Sequence, residues 1–292
     1  MRVTITGGSG MVGSALVGAL RARGDEVTLL ARRGGTITWD PLHGPAPHQA
    51  FEGADAIVHL AGEPIAQRWT PAVREAIRAS RTTATTNLVA GIGAAQARPQ
   101  VLVSANAVGY YGDRGAERLT EASAPGEGFL AEVCAAWERE ALAARALGLR
   151  VCVLRSGVVL DRRGGALAKM LPPFRLGVGG PIAGGRQYVA WIALEDIVGL
   201  YLAALDDARF DGAYNATAPE PVTNAQLARA VGRALHRPAA LPVPGLALRA
   251  LYGGMAEIVT ASQNAVPERA LAQGHHFAQP DLDRALAAAL AA

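Results

Sequence analysis

The chain has 292 residues, enough for one large domain or for a domain with an appendage. Half of it is hydrophobic and 18% is charged, a balance that builds a sizeable core and excludes a disordered chain. The formal charge is only +3, with no basic block and no basic stripe interleaved with aromatics, so nucleic acid is not expected as a partner.

Taken in order, the first half alternates short β-rich runs with helical stretches. "RVTIT" (2–6) reads as a strand and residues 11–23 as a helix, with Val12, Leu16 and Leu20 at helical spacing. "EVTLLA" (26–31), "TITW" (36–39) and "AIVHLA" (56–61) follow as strands. A helical stretch over about 71–97 leads to "VLVSA" (101–105), and another over about 128–147 leads to "RVCVLRSG" (150–157). Continuous apolar strands separated by helices predict a parallel sheet covered on both faces, an α/β fold.

After residue 157 the rhythm changes. Residues 162–190 are rich in Gly and Pro and read as a loop-helix-loop excursion, a candidate lid. A helix (195–205), a strand (213–217) and a helix (224–235, with Asn224 as the cap candidate) complete a unit expected to span 1–237. A proline-marked segment then introduces residues 238–292, expected as a small, mostly helical lobe.

Cys134 and Cys152 lie in apolar runs and read as reduced core residues. No His/Cys cluster has metal-ligand spacing, and no metal is expected. With a strand starting at residue 2 and no apolar run near the ~18 residues of a membrane span, the expectation is a soluble, cytoplasmic protein.

"TITGGSGMVGSAL" (4–16) places Gly7, Gly10 and Gly13 between the first strand and the first helix. Gly7 suits a tight turn, Gly10 a close backbone approach to a pyrophosphate, and Gly13 close packing of helix on strand. The helix N-terminus then offers free N–H groups to phosphates. An acidic residue ending the second strand would select NAD through the ribose 2′-hydroxyl. Arg32 and Arg33 stand there instead, and guanidinium groups suit a 2′-phosphate, so the predicted cofactor is NADP, with NAD the less favoured form.

With "TGGSGMVG", "HLAGEPI" (59–65) and "LRSGVVL" (154–160) in view, the chain resembles the extended short-chain dehydrogenase/reductases, the NAD(P)-dependent sugar-nucleotide epimerase/dehydratase superfamily. "SANAVGYYG" (104–112), residues 164–192 and the tail 262–282 resemble its poorly characterised "epimerase family protein" branch. The resemblance spans essentially the whole chain. It implies a Rossmann-type doubly wound sheet with a small C-terminal substrate lobe. It also implies that Gly7, Gly10, Met11, Val12 and Gly13 line the pyrophosphate and that Arg32 faces the adenosine phosphate. Leu60, Ala61 and Gly62 would flank the ribose and nicotinamide, with Ser104 and Ala105 approaching the nicotinamide.

The superfamily carries its proton on a Tyr-x-x-x-Lys helix, the lysine lowering the tyrosine pKa. Lys169 is the only lysine here, and Gly165 stands four residues before it, so no such pair exists. Phe129 stands near the tyrosine's place, with Val133 four later. Two residues after Ser104, where the branch has a second small hydroxyl residue, is Asn106, which cannot act as acid or base. Tyr110, Tyr111, Ser104 and Asn106 remain as catalytic candidates. Glu63, Lys169 and Gln187 are candidates for the substrate cleft, with Trp191 more at home in the core. Two functions follow. One is an NADP-dependent oxidoreductase or epimerase acting on a small polar, sugar-nucleotide-like substrate without the usual pair. The other is a non-catalytic NADP(H) sensor or partner-binding module, since some relatives of the branch carry cell-division labels. By analogy the chain would be a monomer or homodimer.

Overall fold

A computed structural model describes residues 1–291, apart from the side chains of residues 247, 249, 251 and 252. Seven runs form one sheet: β1 (Arg2–Thr6), β2 (Glu26–Ala31), β3 (Ile37–Thr38), β4 (Ala56–His59), β5 (Val101–Ala107), β6 (Arg150–Ser156) and β7 (Gly212–Ala216). Their order is β3-β2-β1-β4-β5-β6-β7, every pair parallel. The chain runs outward from β1 to β3, then returns to β1's other side. That reversal between β1 and β4 is the topological switch of a Rossmann-type doubly wound sheet, and ligands bind there beyond the strand carboxyl ends.

Alternation in the strands explains the two cores. Val3, Ile5, Val58, Val101, Val103 and Leu154 pack against α1 (Met11–Ala22) and a helix spanning Leu194–Asp206. Ile57, Leu102, Val151 and Val153 face the other way, toward helices spanning Thr82–Ala94 and Phe129–Leu142.

The stretch read as one helix over about 71–97 is two: α2 (Pro71–Ala79) and α3 (Thr82–Ala94). At the joint Ser80 Oγ accepts the Glu63 N–H at 2.9 Å, while Arg81 Nη1 donates to the Glu63 carbonyl at 3.1 Å. The chain breaks step so that Arg81 turns inward and lies 5.2 Å over the Trp137 ring. The helix expected over 128–147 is α4 (Phe129–Leu142), continued by a 3-10 turn at Ala143–Leu147.

The excursion folds as α5 (Gly165–Arg175), and Leu194–Asp206 is α6. In α7 (Asn224–Ala234) the cap is Thr223, which forms a capping box with Gln226, and not Asn224. Asn224 lies one residue inside and accepts the Ile182 N–H at 2.7 Å.

The chain continues through α8 (Gly245–Tyr252), α9 (Glu257–Thr260), α10 (Glu268–Ala272) and α11 (Leu282–Ala291). Ala285 and Leu286 of α11 share a buried cluster with Leu171 and Phe174 of α5 and with Leu227 and Val231 of α7. Asn264–Ala265 pairs in parallel with Arg118–Leu119. No described helix is long and apolar enough to cross a membrane.

Candidate active site

The loop between β1 and α1 sits at the switch point. Gly7 has φ +71°, and a Cβ there would lie 2.6 Å from the Leu60 carbonyl carbon, so only glycine lets the loop meet the end of β4. A Cβ on Gly13 would lie 2.2 Å from the Gly7 oxygen. Gly10, by contrast, is exposed and meets nothing closer than 3.4 Å. It caps α1 with backbone alone, and no side chain takes the first-turn amides of Met11 and Val12. Tight packing below and open amides above form a cradle for a dinucleotide pyrophosphate. Arg32 and Arg33 follow β2 directly. Neither forms an ion pair among the described residues, and Arg33 is exposed.

A buried hydrogen-bond chain fixes the far side of the cradle. The Ala61 N–H lies 3.3 Å from Thr6 Oγ1, which lies 2.6 Å from His59 Nδ1; His59 Nε2 lies 3.1 Å from Thr85 Oγ1. Thr85 spends its proton on the Arg81 carbonyl. His59 Nε2 must therefore donate to Thr85, and Nδ1 must accept from Thr6, which assigns a single neutral tautomer. Complete burial, helped by the Arg81 charge, lowers the His59 pKa to about 4. The chain holds Leu60 and Ala61 against Gly7. Gly62 extends past Arg81, and a Cβ there would touch the guanidinium at 3.3 Å.

Beyond β5 the candidates separate. Ser104 is fully buried, and its Oγ donates only to the Ala105 carbonyl, at 3.2 Å. Ala105 is half-buried on the opposite face of the strand. Asn106 pairs in register with Arg155 of β6, which pairs with Asn215 of β7. Asn106 Nδ2 donates to the Cys134 carbonyl (3.0 Å) and toward Glu138 (3.4 Å). Arg155 grips Glu138 with two bonds, 2.9 and 2.7 Å, and donates to Tyr111 Oη at 2.9 Å. Tyr111 Oη donates to Asn215 Oδ1 at 2.7 Å, with the Thr120 carbonyl at 3.0 Å. Fully buried and saturated with partners, Tyr111 and Asn106 knit strands to helix and present nothing to a cleft. Tyr110 differs: it keeps accessible surface, with the Arg155 guanidinium 3.6 Å over its ring. Burial raises its phenol pKa, outweighing the opposing pull of Arg155, so the group is a neutral donor.

Phe129, which the sequence resemblance puts near the place of the usual tyrosine, is buried at the start of α4. Its ring meets Trp69 edge-on at 5.2 Å, Arg74 lies 4.4 Å above it, and Val133 packs beside it with Ile77. An apolar wall replaces the proton-carrying pair.

The excursion at 162–190 approaches from the other side. Cβ atoms added at Gly164 and Gly165 would touch Met11 at 3.2 and 3.3 Å, and exposed Lys169 donates to the Ala66 carbonyl at 2.8 Å. Gln187 is buried, and its amide ties Ile182 (3.1 Å) to Val259 (2.9 Å). Glu63 is half-buried and accepts from Gln67 at 3.2 Å. Trp191 is in the core. The structure thus brings Gly7, Met11, Ala61 and the start of α5 together, and sets Ser104, Asn106, Tyr111 and Gln187 into scaffolding positions. Sequence reasoning missed Arg155, whose signal was a charge inside the apolar strand "VCVLRSG", and the Thr6–His59–Thr85 chain. It also missed a cavity of about 480 Å³ lined by Asp113, Gly253, Gly254, Ala256, Glu257, Thr260 and Ala261. Among the described residues no group of His, Cys, Asp and Glu could hold a metal ion.

Comparison with known proteins agrees with this geometry. Residues 3–217 match the NAD dependent epimerase/dehydratase family, and residues 243–289 match a domain of unknown function. The human epimerase family protein SDR39U1, solved with NADPH, superposes with a TM-score of 0.90 at 38% identity, covering 99% of this chain and 98% of that one. An epimerase family protein of Mycobacterium tuberculosis is 41% identical over 94% of this chain and 93% of its own length. A chloroplastic SDR39U1 homologue of Arabidopsis thaliana is 39% identical over 95% of this chain and 83% of its own, so kinship does not place the chain in the cytoplasm. On the strength of the cradle, the sheet order and these matches, the chain belongs to the NAD dependent epimerase/dehydratase family.

Proposed function

We propose that this protein binds NADP(H) and works as an oxidoreductase or epimerase on a small polar substrate, without a Tyr-x-x-x-Lys pair. The observation that carries the reading is the cradle: open amides at the start of α1, a β4 end locked against Gly7, and two unpaired arginines after β2. The human relative crystallised with NADPH supports the choice of cofactor. Gly7, Gly10, Met11, Val12 and Gly13 hold the pyrophosphate, Arg32 and Arg33 take the 2′-phosphate, and Leu60, Ala61 and Gly62 border the nicotinamide half. Bound NADPH supplies a hydride to an electrophilic carbon. Tyr110 remains available as a neutral hydrogen-bond donor, while α5 and Lys169 cover the cradle.

Nucleotide fluorescence tests the cofactor assignment. NADPH should bind more tightly than NADH, and Arg32→Ala or Arg33→Ala should weaken NADPH by about tenfold, the scale of one charge-assisted hydrogen bond, while sparing NADH. Equal affinities in the parent would defeat it. A second reading, a non-catalytic NADP(H) sensor, is favoured by the apolar wall at Phe129 and Val133. It requires tight NADPH binding with no consumption across a broad carbonyl panel.

A further inference from the structure

The 480 Å³ cavity lies between the segment Gly253–Ala261 and the loop that follows β5. Three contacts tie it to the loop after β4 and to the start of α4. The loop after β4 leaves Gly7 at Ala61 and ends at Trp69, whose ring lies 3.2 Å from where a Gly254 Cβ would stand. Trp69 in turn meets Phe129 edge-on. Glu257 Oε1 lies 3.1 Å from where a Cβ on Gly128 would stand, and Gly128 immediately precedes Phe129. Ligands of such a sheet bind outside the strand carboxyl ends, and the loop that carries Asp113 into the cavity lining leaves the sheet at the carboxyl end of β5.

Glu257 is half-buried, and among the described residues its carboxylate accepts no hydrogen bond and forms no ion pair. The charged groups facing it are Arg74 of α2 and Asp113 of the loop after β5. Asp113 is occupied structurally, accepting the Ser262 N–H at 3.1 Å, and Thr260 Oγ1 donates to the Ala256 carbonyl at 3.0 Å. Among the described residues, Glu257 is therefore the cavity carboxylate with neither oxygen hydrogen-bonded, whereas Asp113 has its Oδ1 engaged by backbone N–H groups.

Resting on the NADP(H) reading above, we propose that this cavity is the substrate site and that Glu257 is its proton-exchanging catalytic residue, reaching from the C-terminal segment to the start of α4 beside Gly128. In the oxidising direction the carboxylate takes the proton of a substrate hydroxyl while the carbinol C–H leaves as hydride to NADP+, giving a carbonyl, a carboxylic acid and NADPH. In reverse, the acid returns the proton to the carbonyl oxygen. Burial raises the Glu257 pKa, Asp113 adds to the effect and Arg74 opposes it, so the group sits closer to the neutral range where such an exchange is efficient. With two carboxylates and no basic residue in its lining, the cavity suits a neutral or cationic substrate rather than a phosphorylated one.

The test needs no known substrate. Carbon NMR of the full chain with labelled glutamate carboxyls, Glu257 assigned by its loss in Glu257→Gln, follows its titration with NADPH and then with NADP+ bound. The nicotinamide gains a positive charge on oxidation, so the midpoint should fall by about one pH unit in the NADP+ complex. Fluorescence should show that Glu257→Gln still binds NADPH as the parent does. An ordinary midpoint, or the same midpoint in both complexes, overturns the role of Glu257 while leaving the cofactor reading intact. Failure of the parent to bind NADP(H) at all overturns both.

Discussion

At the scale of single residues, the chain separates tyrosines that the sequence presents as a pair. Tyr111→Phe removes a hydroxyl with three buried partners and should cost about 1–3 kcal/mol in denaturant melts while leaving NADPH affinity unchanged. Arg155→Met leaves the half-buried Glu138 with only the long contact from Asn106 and should cost roughly 2–4 kcal/mol by the same measurement. His59 gives a pH dependence of definite sign. Its folded pKa, about 4, lies below the ordinary 6.5, so the unfolded chain binds the proton more readily. Stability is full above pH 6.5 and falls as pH drops toward 4, by about 3 kcal/mol in all. Midpoints measured across that window should slope in the parent and flatten for this contribution in His59→Gln. Little of this was legible in the sequence. The partners of Arg155 lie 17 and 44 residues away, and only the sheet register brings them together. The count of one lysine did show, without any structure, that the usual pair is missing.

At the scale of elements, the strands were readable because continuous apolar, β-branched runs have few other uses. The edge strand at 36–39 shrank to two residues, and the 71–97 helix broke for a tertiary reason. Local sequence at Ser80–Arg81 is compatible with helix, and only the tertiary demand for Arg81 beneath Glu63 and over Trp137 interrupts it. The glycine loop was legible because backbone geometry itself selects glycine there. Gly13→Ala should force α1 away from the Gly7 carbonyl, lose about 1–3 kcal/mol in thermal or chemical unfolding, and weaken NADPH binding in fluorescence titration. Thr223→Ala should lose about 1 kcal/mol with no effect on cofactor, because its capping box lies on a helix that only supports the lid.

At the scale of the molecule, the tail after residue 237 is joined to the sheet domain by a strand pair, a shared cluster and side-chain bonds. Arg269 reaches the Ala213 carbonyl at 2.7 Å, and Gln263 reaches that of Gly112 at 3.1 Å. Removing residues 238–292 should leave a chain without cooperative unfolding by calorimetry, because Leu227 and Phe174 would lose their cover. The only lysine of the chain bridges the lid helix to the Ala66 carbonyl, and the other primary amine, the N-terminus, is held by Asp25. An amine-reactive dye therefore has a single side-chain address, set where α5 meets the loop after β4. The unaltered protein carries its own attachment point for a fluorescent readout of whether α5 moves against that loop.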